Sequence, residues 1–418
     1  MPPSLSQVFV VFLKIGLLSF GGPAAQIALM HRMLVEDRGW LTEKQFLNAL
    51  SFCMLLPGPE AMQLATYAGW RLHGRIGGLV AGGLFVLPGA AIIFALALLY
   101  VTYGDLPVVS TLFLGVQAVA VVIVTEALLK VSSRALQGTA HWMLAAFAFV
   151  GIFFFAVPFP MIVALAGLYG AITASRAESE VAPTVTVSWR HTLTTLLLGL
   201  AIWGLPVLVM DALLGATVPT ELGLFFSKLA VVTFGGAYAV LAYMAQDVVL
   251  HYGWLSATEM MDALGLAETT PGPLILVTQF VGTLAAFRDG GYGLAVAGGL
   301  ITLWVTFVPC FLWIFIGAPY LDWISAQPRL TGALRAITAA VVGVILNLSV
   351  WFALHVLFET VDKRQQGPLQ LWVPDMTTLN WSAIGLIALA ALLVLRLRLA
   401  IGWSLGLSAS AALVLAHV

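Results

Sequence analysis

Two lysines occupy the same place in a repeated apolar pattern: Lys14 in KIGLLSFGG and Lys228 in KLAVVTFGG, each six residues before Phe-Gly-Gly. A second pattern, LLPGPEAMQL over 55–64, returns as TTPGPLILVT over 269–278. Carboxylates flank these proline-glycine-proline breaks, Glu60 just after the first and Glu268 three residues before Pro271. Gln63, Thr269, Thr270 and Gln279 add uncharged hydrogen-bonding groups nearby. These types do not make a nucleophile–base pair or a metal cluster, and the seven histidines show no HxxxH or HxH spacing. What they suit is holding an anion.

The breaks supply the reason. Gly21 and Gly22, and likewise Gly235 and Gly236, free the backbone after a phenylalanine. Proline at 57 and 271 removes a helical hydrogen bond, whereas Pro59 and Pro273 are welcome at the start of a new helix. A helix that begins at membrane depth exposes unpaired N–H groups and the positive end of its dipole. Gly58 and Gly272, between their prolines, are therefore candidate anion contacts. The alternative is a kink that only shapes packing.

Each ionisable residue also has two readings. Lys14 and Lys228 either snorkel to an interface or flank a dianion. Glu60 either caps its own half-helix or competes with the anion for the same N–H groups, so that protonating it admits the substrate. Glu268, at a helix C-terminus, is expected to be neutral or paired with a lysine or arginine. Arg32, Arg38 and Lys44, with Glu36 and Asp37, read as a solvated face that either sets topology or gathers anions.

These residues must be placed by a membrane scaffold. The 418-residue chain is 61% hydrophobic and 9% charged, with mean hydropathy +1.03. A soluble domain carries about 25% charged residues. Apolar runs of about 20 residues, the length that spans a bilayer, recur throughout. The fold class is thus an all-α polytopic membrane protein. Cys53 and Cys310 read as isolated apolar packers, and MPPSLSQVFVVFLKIG reads as no signal peptide. No GxxxxGK[ST] segment is present for ATP-driven pumping.

Self-similarity gives the organisation. Residues 14–59 align without a gap on 228–273, with 16 identities in 46 positions. AVVIV at 120–124 lines up with AVVGV at 340–344, so each half carries one repeat. Residues 14–75 hold six lysines and arginines and residues 228–289 hold two. Homologous loops of opposite charge bias imply two inverted-topology repeats. The expected parts are 1–175 as the first repeat, 176–215 as linker and connecting transmembrane helix, and 216–418 as the second, inverted repeat. Full spans are expected near 77–103, 108–129, 140–157, 159–175, 192–210, 290–318, 336–358, 380–396 and 399–417. The stretches 5–75 and 220–289 read as broken or re-entrant half-helices, giving roughly nine to thirteen membrane segments. Lys363 and Arg364 fall on the wrong side of this trace.

The paired pattern of SFGGPAAQIALMHR, GWL and LLPGPEAMQLATYAGW with its second copy resembles the chromate ion transporter family in its long two-domain form. The resemblance covers essentially the whole chain. It implies a multi-pass plasma (inner) membrane protein that exports chromate, a tetrahedral dianion, driven by the membrane potential or proton gradient. One departure is PGPEAM in the first copy against PGPLIL in the second. The expected partners are chromate or a sulfate-like oxyanion, protons and the lipid bilayer, with a homodimer as the candidate assembly. Nucleic acid, a cofactor, a metal and enzyme activity are not expected. Sulfate or another oxyanion as substrate, uptake or exchange instead of export, and a membrane scaffold without transport are the competing readings.

Overall fold

The computed structural model describes residues 3–104, 106–174, 189–215, 217–234, 237–325 and 327–417. In chain order the helices are α1 (Leu5–Leu18), α2 (Gly22–His31), α3 (Glu43–Cys53), α4 (Glu60–Tyr103), α5 (Pro107–Ala135), α6 (Thr139–Phe155), α7 (Phe159–Thr173) and α8 (Trp189–Leu214). The second half gives α9 (Val218–Val232), α10 (Ala237–Gln246), α11 (Ala257–Thr269), α12 (Val277–Gly317), α13 (Leu321–Ser325), α14 (Pro328–Leu357), α15 (Trp381–Ala391) and α16 (Ile401–Ala416). The expected linker at 175–191 falls mostly outside the described residues, Arg176 included.

Local chemistry sets many of the ends. Ser4 with Gln7 and Thr42 with Gln45 form reciprocal capping boxes that start α1 and α3. Short π-helical turns, Arg32–Glu36 and Asp247–His251, follow α2 and α10 at matching repeat positions. The breaks at Phe-Gly-Gly after α1 and at both Pro-Gly-Pro triplets interrupt helices where expected.

The long elements α4 and α12 are each two limbs folded back on one another. In α4 the backbone leaves helical geometry at His73 and Gly74, where Gly74 stands at φ +59°. In α12 it does so at Gly290 and Gly291, with Gly291 at φ +73°. A side chain added at Gly69 would collide with the Gly77 carbonyl, and one at Gly298 with the Gly282 carbonyl. Residues eight or sixteen apart in an unbroken helix lie about 12 or 24 Å apart along its axis. Their contact therefore requires a reversal. Small residues let the two limbs approach closely, as at membrane helix interfaces generally. The half-helices 60–72 and 277–289 thus fold back on the longer limbs 75–103 and 292–317.

Among the described residues five helical stretches are long and apolar enough to cross a membrane: Glu60–Tyr103, Pro107–Ala135, Thr192–Leu213, Leu274–Tyr320 and Pro328–Leu357. The expected spans near 140–157, 159–175, 380–396 and 399–417 are shorter pieces, α6, α7, Trp381–Arg396 and α16. At 17 residues, α6 covers about 25 Å, less than the ~30 Å hydrocarbon core. It ends because Ala156 turns left-handed at φ 51° and Pro158 caps α7.

The described chain forms two compact units: residues 1–98, 175–237 and 270–331, and residues 99–174, 238–269 and 332–418. Each unit draws on both repeats. In the first, α12 packs on α8 and α9. In the second, α5 packs on α11, α15 and α16, with Val119, Val122 and Ile123 against Ala390, Val394 and Leu405. A small antiparallel β-hairpin, β1 (Val361–Gln366) and β2 (Leu369–Pro374), turns at Gly367, φ +61°. It carries Lys363 and Arg364 away from the spans, and Lys363 lies 5.8 Å over the Trp372 ring.

Candidate functional site

The breaks of the two repeats bond to each other, not to themselves. The Gly58 N–H donates to the Thr233 carbonyl at 2.8 Å, and the Gly272 N–H donates to the Ser19 carbonyl at 2.9 Å. Ser19 and Thr233 hold equivalent positions at the ends of α1 and α9, as do the two glycines. The pair of bonds is therefore reciprocal. Each hydroxyl turns back into its own helix, Ser19 Oγ to the Ile15 carbonyl and Thr233 Oγ1 to the Leu229 carbonyl, both at 2.6 Å. The carbonyls are left free to accept across the repeats.

Further side chains close on these latches. Gln26 is buried, and its Nε2 donates to the Gly272 carbonyl at 2.7 Å and the Ser19 carbonyl at 3.3 Å. Its counterpart is Val240, so only one latch is braced in this way. Gln63 Nε2 donates to the Pro57 carbonyl at 2.7 Å, while its Oε1 is buried without a partner. A side chain at Gly58 would come within 2.9 Å of Cys310 Sγ and of Gln63 Nε2. At Gly89 it would strike the Pro271 carbonyl. Each triplet thus sits against the span of the other repeat.

The half-helix α2 starts beside this arrangement. Gly21 and Gly22 stand at φ +85° and +77°, and no side chain caps the first turn. Pro23 removes one N–H, and the remaining N-terminal donors lie near exposed Ala24 and Ala25. Glu60 occupies the first turn of α4, half-buried.

The expected residues thus separate into groups. Gly58, Gln63 and Gly272 meet at the latches, with Gly21 and Gly22 at the start of α2. Thr270 is buried and directly precedes the second triplet, and Thr269 Oγ1 bonds back to the Leu266 carbonyl at 2.7 Å. Gly235 and Gly236 lie outside the described residues. Lys14 and Lys228 are both exposed on their helices, and so is every described lysine and arginine. Glu268 is buried in the second unit, and in place of the expected lysine or arginine it accepts from the Tyr238 hydroxyl at 2.9 Å. Sequence reasoning missed Ser19, Thr233 and Gln26 at the latches, and Asp262 on α11. Asp262 was signalled by a lone acid in the apolar run MMDALG, whereas the others depend on distant partners.

The model of a family described as chromate transporter matches residues 6–171 and 220–415. The chain belongs to the chromate transporter family. It is 32% identical over 355 residues to a probable chromate transport protein of Synechococcus elongatus, spanning 82% of this chain and 83% of that one. It is 31% identical over 351 residues to a chromate transport protein of Pseudomonas aeruginosa, spanning 82% and 80%. A chromate transport protein of Cupriavidus metallidurans shares 30% over 362 residues, spanning 82% and 81%. No solved structure matches significantly. This member of the chromate transporter family is a multi-pass membrane transport protein rather than an enzyme. Its two family matches each hold one Phe-Gly-Gly break and one Pro-Gly-Pro break.

Proposed function

We propose that the protein is a secondary carrier that exports chromate across the plasma membrane by alternating access, coupled to the proton gradient. The observation that carries the reading is the distribution of charge. With every described lysine and arginine exposed, an anion at membrane depth has backbone N–H groups and neutral side chains to bind. The uncapped start of α2, next to the Ser19–Gly272 bond, offers such donors at the positive end of a helix dipole. Broken helices meeting at a repeat interface are a recurring way for carriers to hold substrate.

In this reading Gly21 and Gly22, with their repeat counterparts Gly235 and Gly236, supply the anion-facing backbone. Thr269 and Thr270 line the approach to the second break. Lys14 and Lys228 draw the anion in from the surface, and Glu60 competes with it for the amides of the break until protonated. The repeats are inverted, and the substrate-releasing motion loosens the reciprocal latches. Sulfate, of the same shape and charge, is the competitor to test.

The test is accumulation of labelled chromate by inside-out vesicles with a pH gradient imposed or collapsed and sulfate added. Gradient-dependent accumulation that falls at least fivefold in the Lys14→Ala/Lys228→Ala protein supports the assignment. No accumulation of either anion under any gradient sinks it.

A further inference from the structure

Among the described residues only two charged side chains are buried, and both stand on α11 in the second unit: Asp262, 3% exposed, and Glu268, 7% exposed. Their partners are neutral. The Tyr100 hydroxyl donates to Asp262 Oδ2 at 2.7 Å and the Gln117 Nε2 to Oδ1 at 2.7 Å, while Tyr238 serves Glu268. Burying a carboxylate without a counter-cation costs several kcal/mol, and a proton removes that cost. Ionisable groups at membrane depth are retained for work such as proton relay.

Two further observations lie alongside. A cavity of about 320 Å³ in this unit is lined by Gln117 together with Ser110, Thr111, Thr258 and Ser382. Ala412 and Leu415 of α16 line it too, and Ser408, one turn before Ala412 on the same helix face, is fully buried with a hydroxyl that has no partner. Polar space therefore reaches the amide that holds Asp262. Toward the far end of α5, Glu126 pairs with Lys130 at 2.6 Å. Helices α5 and α11 pack directly, Gly265 meeting Val116. Thr258 and Asp262, one turn apart on α11, thus run beside Ser110 and Gln117 on α5, while Glu268 lies six residues further on against Tyr238. The charged groups facing this row are Glu126 and Lys130 on α5 and Glu259 on α11, with the phenols Tyr100 on α4 and Tyr238 on α10.

We infer that Asp262 is a proton-binding site of the second unit, reached from the Gln117 cavity. The ligand is the proton itself. The Asp262 carboxylate takes it from a hydronium ion in the cavity, an O–H bond forming as the hydronium's breaks and leaving water, and gives it back to water there. The inference rests on the proton-coupled reading above but moves the coupling from Glu60 to α11.

The test uses the full-length protein in liposomes with labelled chromate and two assays: exchange at equal pH, and accumulation under an imposed pH gradient. Asp262→Asn is expected to keep exchange within about twofold and to lose gradient-driven accumulation by at least tenfold, a split that a merely structural role would not produce. Undiminished accumulation in Asp262→Asn overturns the inference, as does loss of the gradient response in Glu60→Gln alone. Failure of the wild type to respond to the gradient sinks the coupled reading itself. Should Asp262→Asn lose exchange as well, Tyr100→Phe decides: a pH midpoint of accumulation displaced by about half a unit or more supports the site, and an unchanged profile overturns it.

Discussion

At Gly58 the backbone stands at φ +123° and at Gly272 at +95°, and each N–H holds a carbonyl of the other repeat. An alanine there is strained by about 1–3 kcal/mol, and at Gly58 it also presses Cys310 Sγ. Gly58→Ala and Gly272→Ala are each expected to lower the midpoint of thermal unfolding in detergent and to abolish transport. Gln26→Leu should cost about 1–2 kcal/mol in the same melting assay, because it takes a donor from the Gly272 carbonyl while the Ser19 carbonyl keeps the Gly272 N–H. Glycines and prolines announced the breaks because few other residues adopt those conformations. Gln26 was silent, since its target Gly272 lies 246 positions away.

The folded-back limbs of α4 and α12 depend on close approach. Gly77→Val should prevent the limbs from packing and leave the purified protein aggregated on size-exclusion chromatography. Gly83→Ala, which meets nothing within 4 Å, should behave as wild type. The reversal itself was only half legible. A boundary between the stretch 5–75 and the span near 77–103 was expected, but hydropathy does not tell a reversal from a pause. The β-hairpin was missed for a related reason: VDKRQQ has no buried face to create an alternating pattern.

A smaller electrostatic clip ties α2 to α3. His31 Nε2 lies 2.7 Å from Glu43 and Nδ1 3.1 Å from Glu36. The hydrogen bond to Glu43 leads the causes that raise the His31 pKa, opposed by partial burial. A raised folded pKa contributes stability that is full below the unfolded value near 6.5 and is lost as pH rises through the folded value. For an exposed pair the effect is a few tenths of a kcal/mol. Wild type and His31→Gln should therefore differ most at pH 5.5 and converge by pH 8.5 in melting experiments.

The compact units cut across the repeats, so ancestry and mechanical body are different divisions of this chain. Charge counting in the loops was enough to raise inversion as a hypothesis, since lysines and arginines mark sides without any knowledge of packing. The cross-repeat latches and the α11 acids were beyond it, because both are products of tertiary packing. Cysteines placed at Glu36 and His251 test the inversion with a membrane-impermeant thiol reagent. They should react from opposite faces of sealed vesicles, and labelling from one face would make the repeats parallel. The native Cys53 and Cys310 are buried and should give little background.

Every described lysine and arginine is exposed, and a binding site without fixed cations, as proposed here, has an electrical consequence. A binding site furnished with fixed cations would return across the membrane carrying them once its dianion had left, partly cancelling the charge moved. A site made of dipoles returns empty. Each turnover of a carrier built this way transfers the net charge of whatever it carries, and the voltage contributes about 2.3 kcal/mol per elementary charge per 100 mV. With a negative interior, expulsion of an anion is then a current that the resting potential itself pulls outward.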